Sequence, residues 1–439
     1  MAKTFARVSS LFLTLLILIP LILPVLAAER PSMENVESVC VINAEYNQIV
    51  LQKNAEKIVF PTATVKLMTA LVADKHFAGR YNEKITVTAE MDEHFAGRIL
   101  GFAIGETVTV ESLLAALLVG GYNDAAIILA YACSGSIEAF CTEMTEYAAT
   151  LGATHTKYRN PTGLHHDEMV TTARDTAIIG LEFMKNDALY SLSKRIKYTL
   201  PQTNKSKEWN IYSRNSLIST VLTEEYHYSY AQGMSFGNTD EGGDCVVTSG
   251  TLDGLSYVCV IMGGRPQNEN DTTNHAFVVA KNTLRYALAN FSVMRLKKAT
   301  ETVATLPVRY SATVTEVKVK LAEDLYALLP SDTVIDKDVR FLVDLTQESL
   351  DAPFEEGKIV GVIKAMSNNG TVITQTELIT AKGADAHAFL ILMDKTRAFV
   401  GSPWFVVTLV LLVGGGVSIF LFCTKAGRKK IRKRVRFDE

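Results

Sequence analysis

The stretch Trp404–Cys423 runs for 20 residues without a charge, and eight Lys and Arg residues follow between Lys425 and Arg436. As a helix, 20 residues span ~30 Å, the thickness of a bilayer's hydrocarbon. A buried core helix is the poorer reading, because a dense cationic tail follows at once. The run predicts a transmembrane helix over residues 402–423, with Trp404 as its interfacial aromatic. The basic tail, 424–439, is then expected in the cytoplasm and everything before it outside. The tail acts as a stop-transfer signal or as a holder of anionic lipid. Gly414, Gly415 and Gly416 sit inside the span, where they permit close helix packing and dimerisation or simply a flexible point.

The other end carries Lys3 and Arg7 with no acid, then an apolar run from Leu11 to Leu26 closed by Ala27 and Ala28. That is the layout of a secretory signal peptide at 1–28. With both ends set aside, 34 Lys and Arg face 45 Asp and Glu. A body this acidic is a poor partner for nucleic acid, which needs clustered cations. Five cysteines fall in the exported part: Cys40, Cys133, Cys141, Cys245 and Cys259. Five cannot all pair in one chain, and most have apolar neighbours, so buried thiols are expected. Cys133 with Cys141 is the pair to examine. Neither the cysteine spacing nor His165-His166-Asp167-Glu168 has the pattern of a metal site, and no metal or other cofactor is expected.

Between the two membrane signals the hydrophobic periodicity changes once. Residues 37–53 read as two strands about a turn at Glu45–Gln48. A helix is predicted after Pro61, then helices on both sides of a break at Gly120-Gly121, then an amphipathic helix ended by Gly152. Strands follow from about Tyr228 to Gly263, and HAFVVAKNTLRYALANF gives a closing helix. Strands flanking a helical middle imply an α+β domain at 34–295, a sheet covered by helices. From 301 to 387 the pattern is period-two alternation, with Asn369-Gly370 as a hairpin turn. This predicts a small all-β domain, and residues 388–401 lead from it to the membrane.

The order of several segments resembles the serine-type D-alanyl-D-alanine carboxypeptidases, the low-molecular-weight penicillin-binding proteins of bacterial cell walls. The runs are FPTATVKLMTALV, GETVTVESLLAALL, NDAA, LGATHTKYRNPTGL, TTARD, TDEGGDCVV and DAPFEEGKIVG. The resemblance implies a penicillin-binding/β-lactamase-like transpeptidase domain, the small β domain, and the C-terminal anchor. It also implies peptidoglycan stem peptides or cell-wall enzymes as partners, at a cell membrane with the ectodomain extracytoplasmic.

Three motifs carry that family's chemistry: S-x-x-K for a serine nucleophile and its lysine, S-x-N for proton relay and amide binding, and K-T-G for the substrate carboxylate. Here they align as Ala63-Thr64-Val65-Lys66, Gly121-Tyr122-Asn123 and Ser235-Phe236-Gly237. Lys66, Asn123 and Gly237 survive, while Ala63, Gly121 and Ser235 are degenerate. A methyl group cannot form an acyl-enzyme, and the members of such a unit fail together. The reading is therefore a membrane-held, non-catalytic relative that binds wall peptides or a partner enzyme. Asn123, Ser235, Phe236 and Gly237 are the expected substrate-binding positions, with Phe236 partly filling the slot beside residue 235. Two alternatives stay open. One is an active hydrolase with a replacement nucleophile, Thr62 or Ser235, near Lys66; Thr62 also reads as a helix N-cap. The other is a scaffold acting through the basic tail. Lys66 is expected either as a cleft cation or as a structural lysine bonded to Asn123.

Overall fold

The computed structural model describes residues 29–435, with side chains through residue 425. The expected signal peptide at 1–28 and the last residues of the basic tail lie outside the described residues. The chain divides into two units, residues 29–292 with 330–332, and residues 293–329 with 333 onward.

In the first unit the expected strand pair is β1 (Ser38–Asn43) and β2 (Gln48–Lys53). The chain then makes one tight turn, Thr62–Thr64, and enters helix α1 (Val65–Phe77). Ten of its thirteen residues are buried, Lys66 among them. A helix apolar on all sides belongs in a core, and this one is the core's axis. Helices α2 (Asn123–Ser134), α3 (Ile137–Thr150) and α4 (Ala173–Lys185) follow. The predicted break at Gly120-Gly121 is present: the helix from Val110 widens over Ala116–Gly120, and Gly121 turns left-handed at φ 71°. Strands β3 (Ala231–Thr239), β4 (Gly243–Leu252) and β5 (Leu255–Gly264) complete the sheet, and α5 (His275–Asn290) closes the unit.

The five strands run β2-β1-β5-β4-β3, and every pairing is antiparallel. Val258 of β5 lies against Gly180 of α4, whereas its neighbour Cys259 contacts Thr283 of α5. Successive side chains of a strand point to opposite faces, so helices cover both faces. That explains why β5 reads as an unbroken apolar run, YVCVIM, all of it buried. Strand β3 is left at the sheet edge.

The second unit is built on a six-stranded mixed sheet. Its order is Val339–Leu345, Ile359–Ser367, Val372–Thr380, Glu316–Leu321, Thr302–Arg309, Leu350–Asp351. The Asn369-Gly370 turn joins the second and third of these, with Gly370 left-handed at φ 87°. Alternate residues Val317, Val319 and Leu321 pack into its core. Residues 388–401 hold more order than the sequence reading gave them: Ala388–Val400 is a helix with Phe389, Leu392 and Met393 exposed. The following helix, Pro403–Val435, contains a 23-residue segment, Pro403–Lys425, long and apolar enough to cross a membrane. All six cysteines are free thiols, and burial pushes Cys133 and Cys141 up to about 12.

Candidate ligand cleft

A cleft of about 230 Å³ opens between the edge strand β3 and the helical side of the first unit. Ala63, Lys66, Gly121, Asn123, Ser235, Phe236 and Gly237 all lie on its wall. Residues remote in sequence meet because α1 begins beside β3, and the start of α2 faces both.

The methyl group of Ala63 is the nearest neighbour of Gly237: a side chain at 237 would collide with it. The Ser235 hydroxyl donates to the Ala63 carbonyl at 2.8 Å. The edge strand is thus fastened to the residue at the nucleophile position. Ser235 and Lys66 line the same cleft, and the Ser235 proton goes to a backbone oxygen. Phe236 lines the cleft. Its ring packs against Phe277 of α5, tilted by 34°, with centroids 4.5 Å apart. Ser235 and Gly237 share the face toward Ala63, and strand alternation gives Phe236 the other; upstream, β3 is irregular between Gln232 and Met234, with Met234 at φ 118°.

Thr62 is placed elsewhere. It adopts left-handed backbone, φ 47°, rare for a β-branched residue. Its hydroxyl is buried without a hydrogen-bond partner, and its methyl faces Gly242. Thr62 lies off the cleft wall, and it caps no helix, since the turn it opens has no side-chain cap.

Lys66 is buried at the base of the cleft, and its Nζ donates to the Thr162 carbonyl at 2.6 Å. That is its one hydrogen bond among the described residues; the expected bond to Asn123 is not made. Burial, with the positive charge of Arg98 as a lesser cause, pushes the Lys66 ammonium down to about 7. Asn123 is spent on a loop instead: its Nδ2 donates to the Ala96 carbonyl at 2.9 Å.

That loop brings residues that the sequence reading missed. Next to Asn123, buried Asp124 accepts backbone N–H bonds from Leu100 at 2.9 Å and Gly101 at 2.7 Å. Burial raises the Asp124 carboxyl, and these N–H groups pull the other way. Between the two clasps sits Arg98. Its Nε donates to the Gly120 carbonyl at 2.9 Å, and its guanidinium stacks 4.6 Å from the Tyr122 ring centre. Arg214 also lines the cleft. Partial burial, with Arg214 nearby as a further cause, lowers the Arg98 guanidinium from its ordinary value, while Tyr122 opposes this. Among the described residues, no Asp or Glu lines the cleft. Nothing in the spacing of Arg98 and Arg214 announces that they meet; only the folded loops do that.

His165 and His166 use short local bonds, to the Asp167 carboxylate at 3.1 Å and from the Glu168 N–H at 3.1 Å. The Glu168 carboxylate pairs with Arg159 and Lys157. Chemically, the cleft offers hydrogen bonds and positive charge. At the nucleophile position it offers a methyl group.

A family described as D-alanyl-D-alanine carboxypeptidase matches residues 25–266, and the penicillin-binding protein 5 C-terminal domain matches residues 291–385. D-alanyl-D-alanine carboxypeptidase DacF of Bacillus subtilis is 23% identical over 371 residues, covering 82% of this chain and 88% of that protein. DacC of Escherichia coli is 26% identical over 373 residues, covering 82% and 87%. Among solved structures, penicillin binding protein 5 from Haemophilus influenzae superposes with a TM-score of 0.63 at 21% identity. That match covers 81% of this chain and 99% of that one, and it carries the fold.

Proposed function

The chain belongs to the D-alanyl-D-alanine carboxypeptidase family, and from that premise we propose a member that binds wall peptides without hydrolysing them. It is a carboxypeptidase-like penicillin-binding protein of the cell wall. In the proposed reading one C-terminal helix, Pro403–Lys425, anchors it, the two units lie outside, and the basic tail lies in the cytoplasm. Its ligands are peptidoglycan stem peptides or the enzymes that work on them.

One observation carries the proposal: Ala63 presents a methyl where acylation needs an oxygen, with the Ser235 hydroxyl bonded to its carbonyl. Lys66 near neutrality would be a competent base, but among the described residues its hydrogen bond goes to the Thr162 carbonyl and to no hydroxyl. Losing a nucleophile removes about 10⁴–10⁶ in turnover. The cleft and its donors remain, and they suffice for recognition.

The test is exposure of the full-length protein, in detergent, to a fluorescent β-lactam, followed by intact-mass and peptide mass spectrometry. The expected result is no adduct. A stoichiometric adduct would overturn the proposal, and the labelled peptide would name the nucleophile, with Thr62 and Ser235 first to be inspected.

A further inference from the structure

Beyond the cleft, a second recess of about 260 Å³ lies between residues 100–109 and the hairpin of strands Lys197–Leu200 and Trp209–Tyr212. Trp209 lines it and is 60% exposed, although tryptophan is on average a highly buried residue. The core ends short of it. Leu200, directly opposite in the hairpin, and Ile211, two residues on, share its face and are buried, whereas the indole stays in the open. The hairpin's connection is fixed on residues 105–107 by bonds between partners far apart in sequence. Thr203 Oγ1 donates to the Glu106 carboxylate at 2.6 Å, Asn204 Nδ2 donates to the Gly105 carbonyl at 2.9 Å, and Asn204 Oδ1 accepts from the Thr107 N–H at 2.8 Å. On the same wall Lys84, Gln202 and Lys207 are exposed. The two segments that bound this recess also flank the cleft. Arg98 lies on the cleft wall two residues before Leu100, and Ser213 four residues after Trp209. Arg98 and Leu100 are at most about 7 Å apart along the backbone, so what is bound in the cleft lies near the recess.

From this placement we infer that the recess binds a saccharide, the glycan strand that carries the wall peptides, with a sugar ring seated on the face of Trp209. This rests on the reading that the cleft takes such peptides, and it adds where the rest of the same polymer lies. The chemistry of the wall selects the class. A pyranose ring has an apolar face of C–H groups and an edge of hydroxyl and acetamido groups. The face matches a flat indole. The edge matches Gln202, which both donates and accepts, and the two ammonium groups, which donate. A fatty chain would leave these groups without partners. The ammonium groups and the Glu106 carboxylate on one wall nearly balance, which suits an uncharged ligand better than a phosphate.

The chain has two tryptophans, Trp209 and Trp404, so W404F leaves one indole as reporter in the full-length protein in detergent micelles. Iodide quenching of its emission is titrated with the β-1,4-linked tetramer of N-acetylglucosamine, which has the backbone of a wall strand. The expected result is a blue shift and quenching cut by about half, since a stacked ring covers one of the two indole faces. Maltotetraose and a diacylated Lys-D-Ala-D-Ala tripeptide should change neither. By calorimetry W209A should bind the tetramer about tenfold more weakly and W209F less so, with the thermal midpoint unchanged because the side chain is exposed. Unchanged quenching with the tetramer overturns the inference, and so does equal binding of the tetramer by W209A. Equal protection by maltotetraose overturns the assignment to wall glycan, and protection by the tripeptide gives the recess to peptide. Tripeptide binding is read by calorimetry in the same series. Its absence defeats the peptide-binding reading of the cleft, while the saccharide site stands or falls on the tetramer.

Discussion

Replacing Lys66 by methionine tests how completely the cleft floor is dehydrated. The folded chain releases the Lys66 proton near 7, whereas an unfolded chain holds it to about 10.5. Between those values the unfolded state binds more protons, so stability rises with pH through that window. Below about pH 7 the lysine is charged in both states, and the full cost of burying it is present, about 5 kcal/mol. K66M deletes the titration, and the Thr162 carbonyl it orphans adds only an offset that does not change with pH. Chemical unfolding of wild type and K66M, followed at several pH values by a probe in the first unit, gives the difference in free energy. Other titrating groups cancel in that difference. Wild type should gain on K66M by about 2 kcal/mol between pH 7 and pH 9, and by almost nothing between pH 5 and pH 6. A difference that stays flat from pH 6 to pH 9 would show that Lys66 titrates at its ordinary value. The floor would then be wet, and the picture of a lysine poised near neutrality beside Ala63 would be wrong.

Other outcomes follow from the same geometry. G237A drives a methyl into Ala63 and should cost about 1–3 kcal/mol of stability, read as a lowered thermal midpoint. D124N weakens the clasp on residues 100–102, so amide hydrogen exchange there should quicken while exchange in strand β5 does not change. A63S alone should acquire β-lactam label far more slowly than an intact family enzyme, because Gly121 and Ser235 still lack their partners' chemistry; rapid, complete labelling would show that the rest of the site is competent.

Much of this molecule can be read before it is folded. The uncharged run near the C-terminus, the period-two alternation after residue 301 and the Asn369-Gly370 turn depend on neighbours in sequence, and each appears where such neighbours dictate. The positions around the cleft are legible too, since the family's segment order puts Ala63, Asn123 and Ser235 together. Three details are not legible, each for a physical reason. Thr62 and Lys66 are four apart, but the i,i+4 rule holds only on a regular helix, and Thr62 sits left-handed in a tight turn before α1 begins. Phe236 packs on α5 because its neighbours Ser235 and Gly237 take the face toward Ala63, a tertiary contact that the residue pattern does not carry. Arg98 and Arg214 lie on separate loops, and the bonds from Asn123 and Asp124 that hold the first of these are contacts distant in sequence.

The bond from Ser235 to the Ala63 carbonyl also bears on how reversible this site is. A lone change of Ser235 to lysine breaks that bond and sets another cation into a recess already holding Lys66, Arg98 and Arg214. A lone change of Ala63 to serine gains a hydroxyl whose helpers are missing. On the proposed reading, neither single change restores catalysis. Regaining an acylating site on that reading takes changes at Ala63, Gly121 and Ser235 together, because each of the three is tied to its neighbours in the cleft.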